Sequence, residues 1–211
     1  MEKGILITFE GNDGAGKSTA LETITKALQS EGYPVLSTRE PGGCVLGEKI
    51  RDLLLDPANA MDPKTEALLY AASRREHLVK TIKPALEAGQ IVLCDRFLDS
   101  SLAYQGAGRG LGLEEVEKLN DFGLEGFRPD LTLFFSLDQE TEQQRVQQRG
   151  DMNRLDLESE AFHTRVRQGF ETLQKKDPER IQIVDGSKDK KTVFTEAMQI
   201  IKRALDEAGY A

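Results

Sequence analysis

Gly11-Asn12-Asp13-Gly14-Ala15-Gly16-Lys17-Ser18-Thr19 follows the apolar run Ile5–Glu10 and opens a helical pattern over Lys17–Ser30. The first eight of these residues fit G-x-x-x-x-G-K-[ST]. The glycines reach backbone angles that a side chain would forbid. Successive N–H groups then point inward and cradle phosphate oxygens, and the following helix adds its positive N-terminus. In such a loop Lys17 reaches the outer phosphates and Ser18 holds Mg²⁺. Average composition yields the bare pattern by accident in roughly one chain per hundred of this length. Here it also lies between a strand and a helix, as the mechanism requires.

Outward from the loop, apolar runs of strand length alternate with helical patterns. Strands are expected at Ile5–Glu10, Pro34–Thr38, Ile91–Asp95, Leu131–Leu137 and Ile181–Val184. Helices are expected at Lys17–Ser30, Val45–Leu55, Pro63–Ala88, from Asp99 to Gly106, Leu113–Leu124, from Glu140 to about Gln148, Ser159–Lys175 and Lys190–Ala208. Undivided apolar strands between helices imply an α/β fold, a parallel sheet with helices on both faces. Ligands in such sheets bind at the carboxyl ends of the strands.

The chain has 211 residues and a formal net charge of −8. That length suits one compact domain. The first apolar stretch ends at Glu10, too soon for a signal peptide or a membrane span, so a cytoplasmic protein is expected. Cys44 and Cys94 show no pairing pattern. His77 and His163 have no ligand neighbours at zinc spacing. A general nucleic-acid binder is more often basic, and no nucleic-acid or membrane partner is expected.

Asp95 ends an apolar strand, where phosphate-loop proteins place a second ligand of Mg²⁺. Arg96 follows and is suited to bridging transferring phosphates. A switch GTPase would need N-K-x-D after a later strand, which the sequence lacks. Outside the phosphate loop its single D-x-x-G, Asp206–Gly209, falls near the end of the last helix. A transporter-type ATPase would need more length and a signature loop. A small-molecule kinase fits better, because Arg39, Arg51, Arg74, Arg75, Arg96, Arg149 and Arg154 recur where an anionic acceptor would lie. Tyr70 and Arg74 are four apart and share one helix face, suited to gripping a planar base or, equally, to core packing. Ser100 and Ser101 suit helix capping as well as ligand contact. Asp13 suits a turn.

The chain resembles the bacterial type of thymidylate kinase over nearly its whole length. The resemblance rests on Phe9-Glu10-Gly11 through Thr19, Thr38-Arg39-Glu40-Pro41-Gly42-Gly43, Gly47–Arg51, Leu68–Arg74, Arg128–Thr132 and Asn153-Arg154-Leu155-Asp156. Its most specific part is Asp95-Arg96-Phe97-Leu98-Asp99-Ser100-Ser101-Leu102-Ala103-Tyr104-Gln105-Gly106. It implies the P-loop nucleoside-monophosphate kinase fold, five parallel strands ordered 2-3-1-4-5, with a short lid near 149–156. It implies ATP-dependent phosphorylation of dTMP to dTDP, on the way to dTTP, usually by a homodimer. The alternatives are another nucleoside-monophosphate kinase or a non-catalytic nucleotide-binding module.

The resemblance also implies roles. ATP would bind the loop Gly11, Asn12, Asp13, Gly14, Ala15, Gly16, Lys17, Ser18 and Thr19, with Arg145 against adenine. Mg²⁺ would lie between Ser18 and Asp95. Asp13 would bond the sugar 3′-hydroxyl. Arg39, Arg51 and Arg96 would surround the monophosphate. Tyr70 would stack on thymine while Arg74 bonds a base carbonyl, with Ser100, Ser101 and Gln105 completing the pocket. Tyr104 would pack under the sugar and disfavour a 2′-hydroxyl. Lys17, Asp95 and Arg96 would serve catalysis. Two positions depart from common members: Tyr70 stands where Phe is usual, and Gly14 where some carry arginine. The catalytic arginine then falls to the lid, at Arg149 or Arg154.

Overall fold

The computed structural model describes residues 4–210 apart from Asp151, and at positions 139, 143, 146, 147 and 149 it describes the backbone alone. The elements in chain order are β1 (Ile5–Glu10), α1 (Lys17–Ser30), β2 (Val35–Arg39), α2 (Val45–Leu55), α3 (Pro63–His77), α4 (Lys83–Glu87), β3 (Ile91–Asp95), α5 (Leu98–Ser101), α6 (Leu113–Leu124), β4 (Leu131–Ser136), α7 (Gln139–Arg149), α8 (Glu160–Lys176), β5 (Ile181–Asp185) and α9 (Lys190–Glu207). The strands pair in parallel in the order β2-β3-β1-β4-β5, as expected.

β1 is buried along its whole length because both of its faces are covered. Its side chains alternate. Ile5, Ile7 and Phe9 face α1 and α9, packing with Ile24, Leu28 and Ile201. Leu6 faces the other layer, with Val92, Phe134 and Val166. That second layer carries a polar seam. Thr8 and Thr132 share a hydroxyl hydrogen bond of 2.7 Å. Thr132 donates to Asp99, which also accepts two bonds from Arg180. A buried carboxylate is tolerable there because the guanidinium and hydroxyl satisfy it.

Two helices depart from regular α geometry. The long pattern expected over Pro63–Ala88 is broken by a π-helical turn at Leu78–Ile82, just before Pro84. Proline has no N–H and crowds the carbonyl four residues back, and a wider turn relieves both problems. The helix expected from Asp99 begins at Leu98 and widens to π geometry over Leu102–Gly108. This widened segment lies directly on α8. A Cβ at Gly169 would come within 2.9 Å of the Ala107 Cβ and 3.1 Å of the Ala103 Cα, so only glycine permits the approach. The second strand runs one residue later than expected, placing Arg39 in the sheet opposite Asp95.

Candidate active site

The carboxyl edge of the sheet carries the chemistry. Register sets Phe9 and Arg39 on either side of Asp95, and the phosphate loop leaves β1 beside them. Gly11 has φ 129°, and a Cβ there would lie 2.4 Å from the Phe135 carbonyl oxygen on β4. The loop closes on Lys17, whose Nζ donates to the Asn12 carbonyl at 2.6 Å. Burial, then the nearby charge of Arg96, pull the Lys17 ammonium down to about 8. The Ser18 hydroxyl donates to Asp95 Oδ2 at 2.6 Å.

Arg96 sits one residue past β3 with φ 69°, a left-handed conformation that a non-glycine residue adopts at some cost. Its guanidinium donates to the Gly11 carbonyl, Ser100 Oγ, Asp13 Oδ1 and Tyr104 Oη, at 2.9 to 3.2 Å. It also lies 5.0 Å from the centre of the Tyr104 ring. Burial opposes the charge, but Tyr104, Asp13 and Asp95 outweigh it and hold Arg96 firmly protonated.

Two clefts meet at the loop. The first is lined by Lys17, Ser18, Arg39, Arg51, Asp95 and Arg96 on its cationic side. Tyr70, Arg74, Ser100, Ser101, Tyr104 and Gln105 line the remainder. Arg51 donates to the Pro41 carbonyl, and Arg39 pairs with Glu48 at 2.7 Å. Arg74 is almost fully buried, with Nε on Glu40, Nη1 on Ser101 and Asn120, and Nη2 on the Phe97 carbonyl. Four of its five N–H groups are thus committed among the described residues. Burial and the Glu66 charge push the Tyr70 phenol up, so it stays protonated.

The second cleft runs along Gly14, Ala15, Gly16 and Thr19 to Arg145, with Lys188, Lys191 and Phe194 on its rim. Arg145 reaches the carbonyls of Gly14 and Gly186 at 3.3 Å. Asp13, Lys17 and Ser18 line both clefts.

Of the two lid arginines, one has a described side chain. Arg149 ends α7, and its side chain lies outside the described residues, as does Asp151. Arg154 lines neither cleft. It donates from Nε to the Leu54 carbonyl and pairs through Nη1 with Glu66 at 2.7 Å, so in this structure it is a tether to α2 and α3. Its neighbours Asn153 and Leu155 line the first cleft instead. Gly11 and Asn12 form the loop but line neither cleft; the Asn12 amide is buried without a partner among the described residues.

Sequence reasoning passed over three buried acids. Glu10 accepts from the Phe97 N–H and the Ser100 hydroxyl. Glu40 holds Arg74 and His77. Glu66 holds Gln105, Arg109 and Arg154. Glu66 lies four residues before Tyr70, on the same helix face, which was a usable signal. Lys188 and Lys191 follow β5, and the rule that ligands sit at strand carboxyl ends pointed to them.

The thymidylate kinase family model matches residues 9–197. The thymidylate kinase of Bacillus velezensis is 50% identical over 205 residues, 96% of this chain and 97% of that protein. That of Shouchella clausii is 50% identical over 208 residues, 97% of this chain and 98% of that protein. Among solved structures, thymidylate kinase from Ehrlichia chaffeensis superposes with a TM-score of 0.77 at 37% identity, covering 95% of this chain and 99% of that one.

The burial of Glu10 generates a pH prediction. Desolvation, then the Asp99 charge, raise its carboxyl from 4.5 to about 7, against the lowering effect of Ser100, Arg96 and the Phe97 N–H. Between these values the unfolded chain releases a proton that the folded chain keeps. The stability that Glu10 contributes is complete below about pH 4.5 and is lost as pH rises through about 7. Glu10→Gln lacks that titration, so its urea stability should improve relative to wild type between pH 5 and pH 8. A difference that stays constant across that range contradicts the assignment.

Proposed function

The chain belongs to the thymidylate kinase family, and from that premise we propose that it transfers the γ-phosphoryl group of ATP to dTMP, giving dTDP, at the junction of its two clefts. The observation that carries this reading is that both clefts end on Asp13, Lys17 and Ser18. A donor in the loop-side cleft and an acceptor in the other would point their phosphates at each other across those residues.

The acceptor phosphate has a second pKa of about 6, so at neutral pH it is largely a dianion and needs no general base. The difficulty is to bring two anions together in line. Arg39 and Arg51 receive the acceptor phosphate, and Arg96 bridges it to the donor. Lys17 serves the outer phosphates of ATP, while Gly11 through Thr19 supply N–H groups and Arg145 packs against adenine. Asp13 holds the sugar 3′-hydroxyl, Tyr104 supports the sugar, and Tyr70, Arg74, Ser100, Ser101 and Gln105 receive thymine. Among the described residues Arg74 has one N–H left for a base carbonyl.

The Ser18 hydroxyl and the Asp95 carboxylate form a hard-oxygen pair suited to Mg²⁺. No cluster of three acidic, His or Cys ligands exists among the described residues, which fits an ion held chiefly by nucleotide phosphates and water. Bound there, Mg²⁺ would neutralise charge on the phosphates.

We treat the chain as one kinase domain with a lid at 149–156, where Asn153 and Leu155 roof the acceptor. The catalytic arginine of the lid is Arg149 or, once released from Glu66, Arg154. A homodimer is the assembly we favour, through α2, α3 and α6, where Leu53, Leu68 and Phe122 leave apolar surface exposed. No helix among the described residues is long and apolar enough to cross a membrane, and we assign the cytoplasm.

Purified protein with ATP-Mg, offered dTMP, dUMP, dCMP, dGMP and AMP, should turn over dTMP best; preference for another acceptor would sink the reading. Lys17 supplies a second test. Burial and Arg96 pull its ammonium down to about 8, and bound phosphates would raise it again. ATP binding should therefore take up a proton above that pH, and affinity should fall by up to about tenfold per pH unit. Calorimetry in two buffers measures the uptake; an affinity flat to about pH 9.5 contradicts the role.

A further inference from the structure

Glu66 accepts from three side chains among the described residues. It lies on α3, wholly buried. Oε1 accepts from Gln105 Nε2 at 2.8 Å and from Arg109 Nε at 3.2 Å. Oε2 accepts from Arg109 Nη2 at 2.9 Å and Arg154 Nη1 at 2.7 Å. Burial alone would raise its pKa, but the bonds from Arg109 and Gln105 outweigh burial and hold it below the usual carboxylate range.

An ionised carboxylate can only accept. Gln105 must therefore turn its NH₂ end toward Glu66, since the reverse orientation would set amide oxygen against carboxylate oxygen. Gln105 is 1% exposed and lines the acceptor cleft. What it offers a ligand is thus fixed: one carboxamide oxygen and one remaining N–H, in one order. Thymine presents an N–H between two carbonyls. Cytosine presents a ring nitrogen acceptor beside an amine donor. The two patterns call for opposite orientations of a carboxamide.

We propose that Glu66 is a positioning residue that sets the preference for thymine over cytosine by locking the carboxamide of Gln105. This rests on the reading of the first cleft as the dTMP site. A site whose polar groups are fixed rejects a mismatched partner because buried groups are left unpaired. If the carboxamide could turn over, the rejection would be lost. The same carboxylate tethers Arg154, so the base reader and the roof segment beside Asn153 and Leu155 share one anchor.

Glu66→Gln keeps the shape but can donate as well as accept, so it no longer dictates the orientation of Gln105. Steady-state kinetics with dTMP and dCMP should show the kcat/KM ratio falling about tenfold or more, mostly through a raised KM for dTMP. The KM for ATP should stay within about twofold. A thermal melt establishes that the variant is folded. A folded Glu66→Gln with the wild-type ratio overturns the proposal, because a purely structural role would leave selectivity unmoved. Should that variant not fold, Glu66→Asp keeps the charge for both arginines and withdraws it from Gln105 by one methylene. The same loss of selectivity is expected, and its absence is equally fatal. Wild-type enzyme that does not prefer dTMP to dCMP would instead refute the dTMP reading itself.

Discussion

The guanidinium of Arg96 is a full charge inside the protein, and the surrounding site is arranged to keep it there. Its backbone takes a left-handed turn straight out of β3, with its N–H on the Phe9 carbonyl. Such a turn costs on the order of 1–3 kcal/mol and persists only when the surroundings over-determine it. Here they do. Asp13 and the Gly11 carbonyl reach it from the phosphate loop, and Ser100 and Tyr104 from the helical segment that follows it. One side chain thus ties together the loop that would hold a donor and the wall that would face an acceptor.

Behind the cationic and polar lining lies a second layer of buried carboxylates. Glu10 holds Ser100, Glu40 holds Arg74, and Glu66 holds Gln105. Each acid holds a residue that would meet a ligand, and Glu40 itself also lines the first cleft. A chain of net charge −8 thus still gathers Lys17, Arg39, Arg51 and Arg96 in one cleft at the sheet edge, with nearby acids as anchors. Buried ion pairs of this kind add little net stability, but removing one partner is costly. Their clearest consequence is geometric, because a side chain held on one side has few choices left on the other.

The fold was largely legible in the sequence because its signals are local. A glycine loop between a strand and a helix, undivided apolar strands and well-placed helix ends are all written in short windows. The π turn over Leu102–Gly108 was not legible, since it answers to the contact of Gly169 with Ala103 and Ala107, distant in sequence, whereas the turn at Leu78–Ile82 had a local sign in Pro84. The site divides the same way. Eighteen of the residues expected at the site line one or the other cleft; Glu66 left only its spacing to Tyr70 as a signal, because its partners Arg109 and Arg154 lie 43 and 88 residues beyond it (109 − 66 and 154 − 66). Arg154 shows the converse: its motif pointed to catalysis, while its packing ties it to Leu54 and Glu66.

Arg96 both braces the phosphate loop and is placed for phosphoryl transfer. Arg96→Ala separates the two, because alanine keeps the Cβ and so adds no new strain at the left-handed position. With ATP-Mg and dTMP, kcat/KM should fall by about 10³-fold or more, while the protein stays folded at the assay temperature. A folded variant whose turnover remains within about tenfold of wild type would contradict the account.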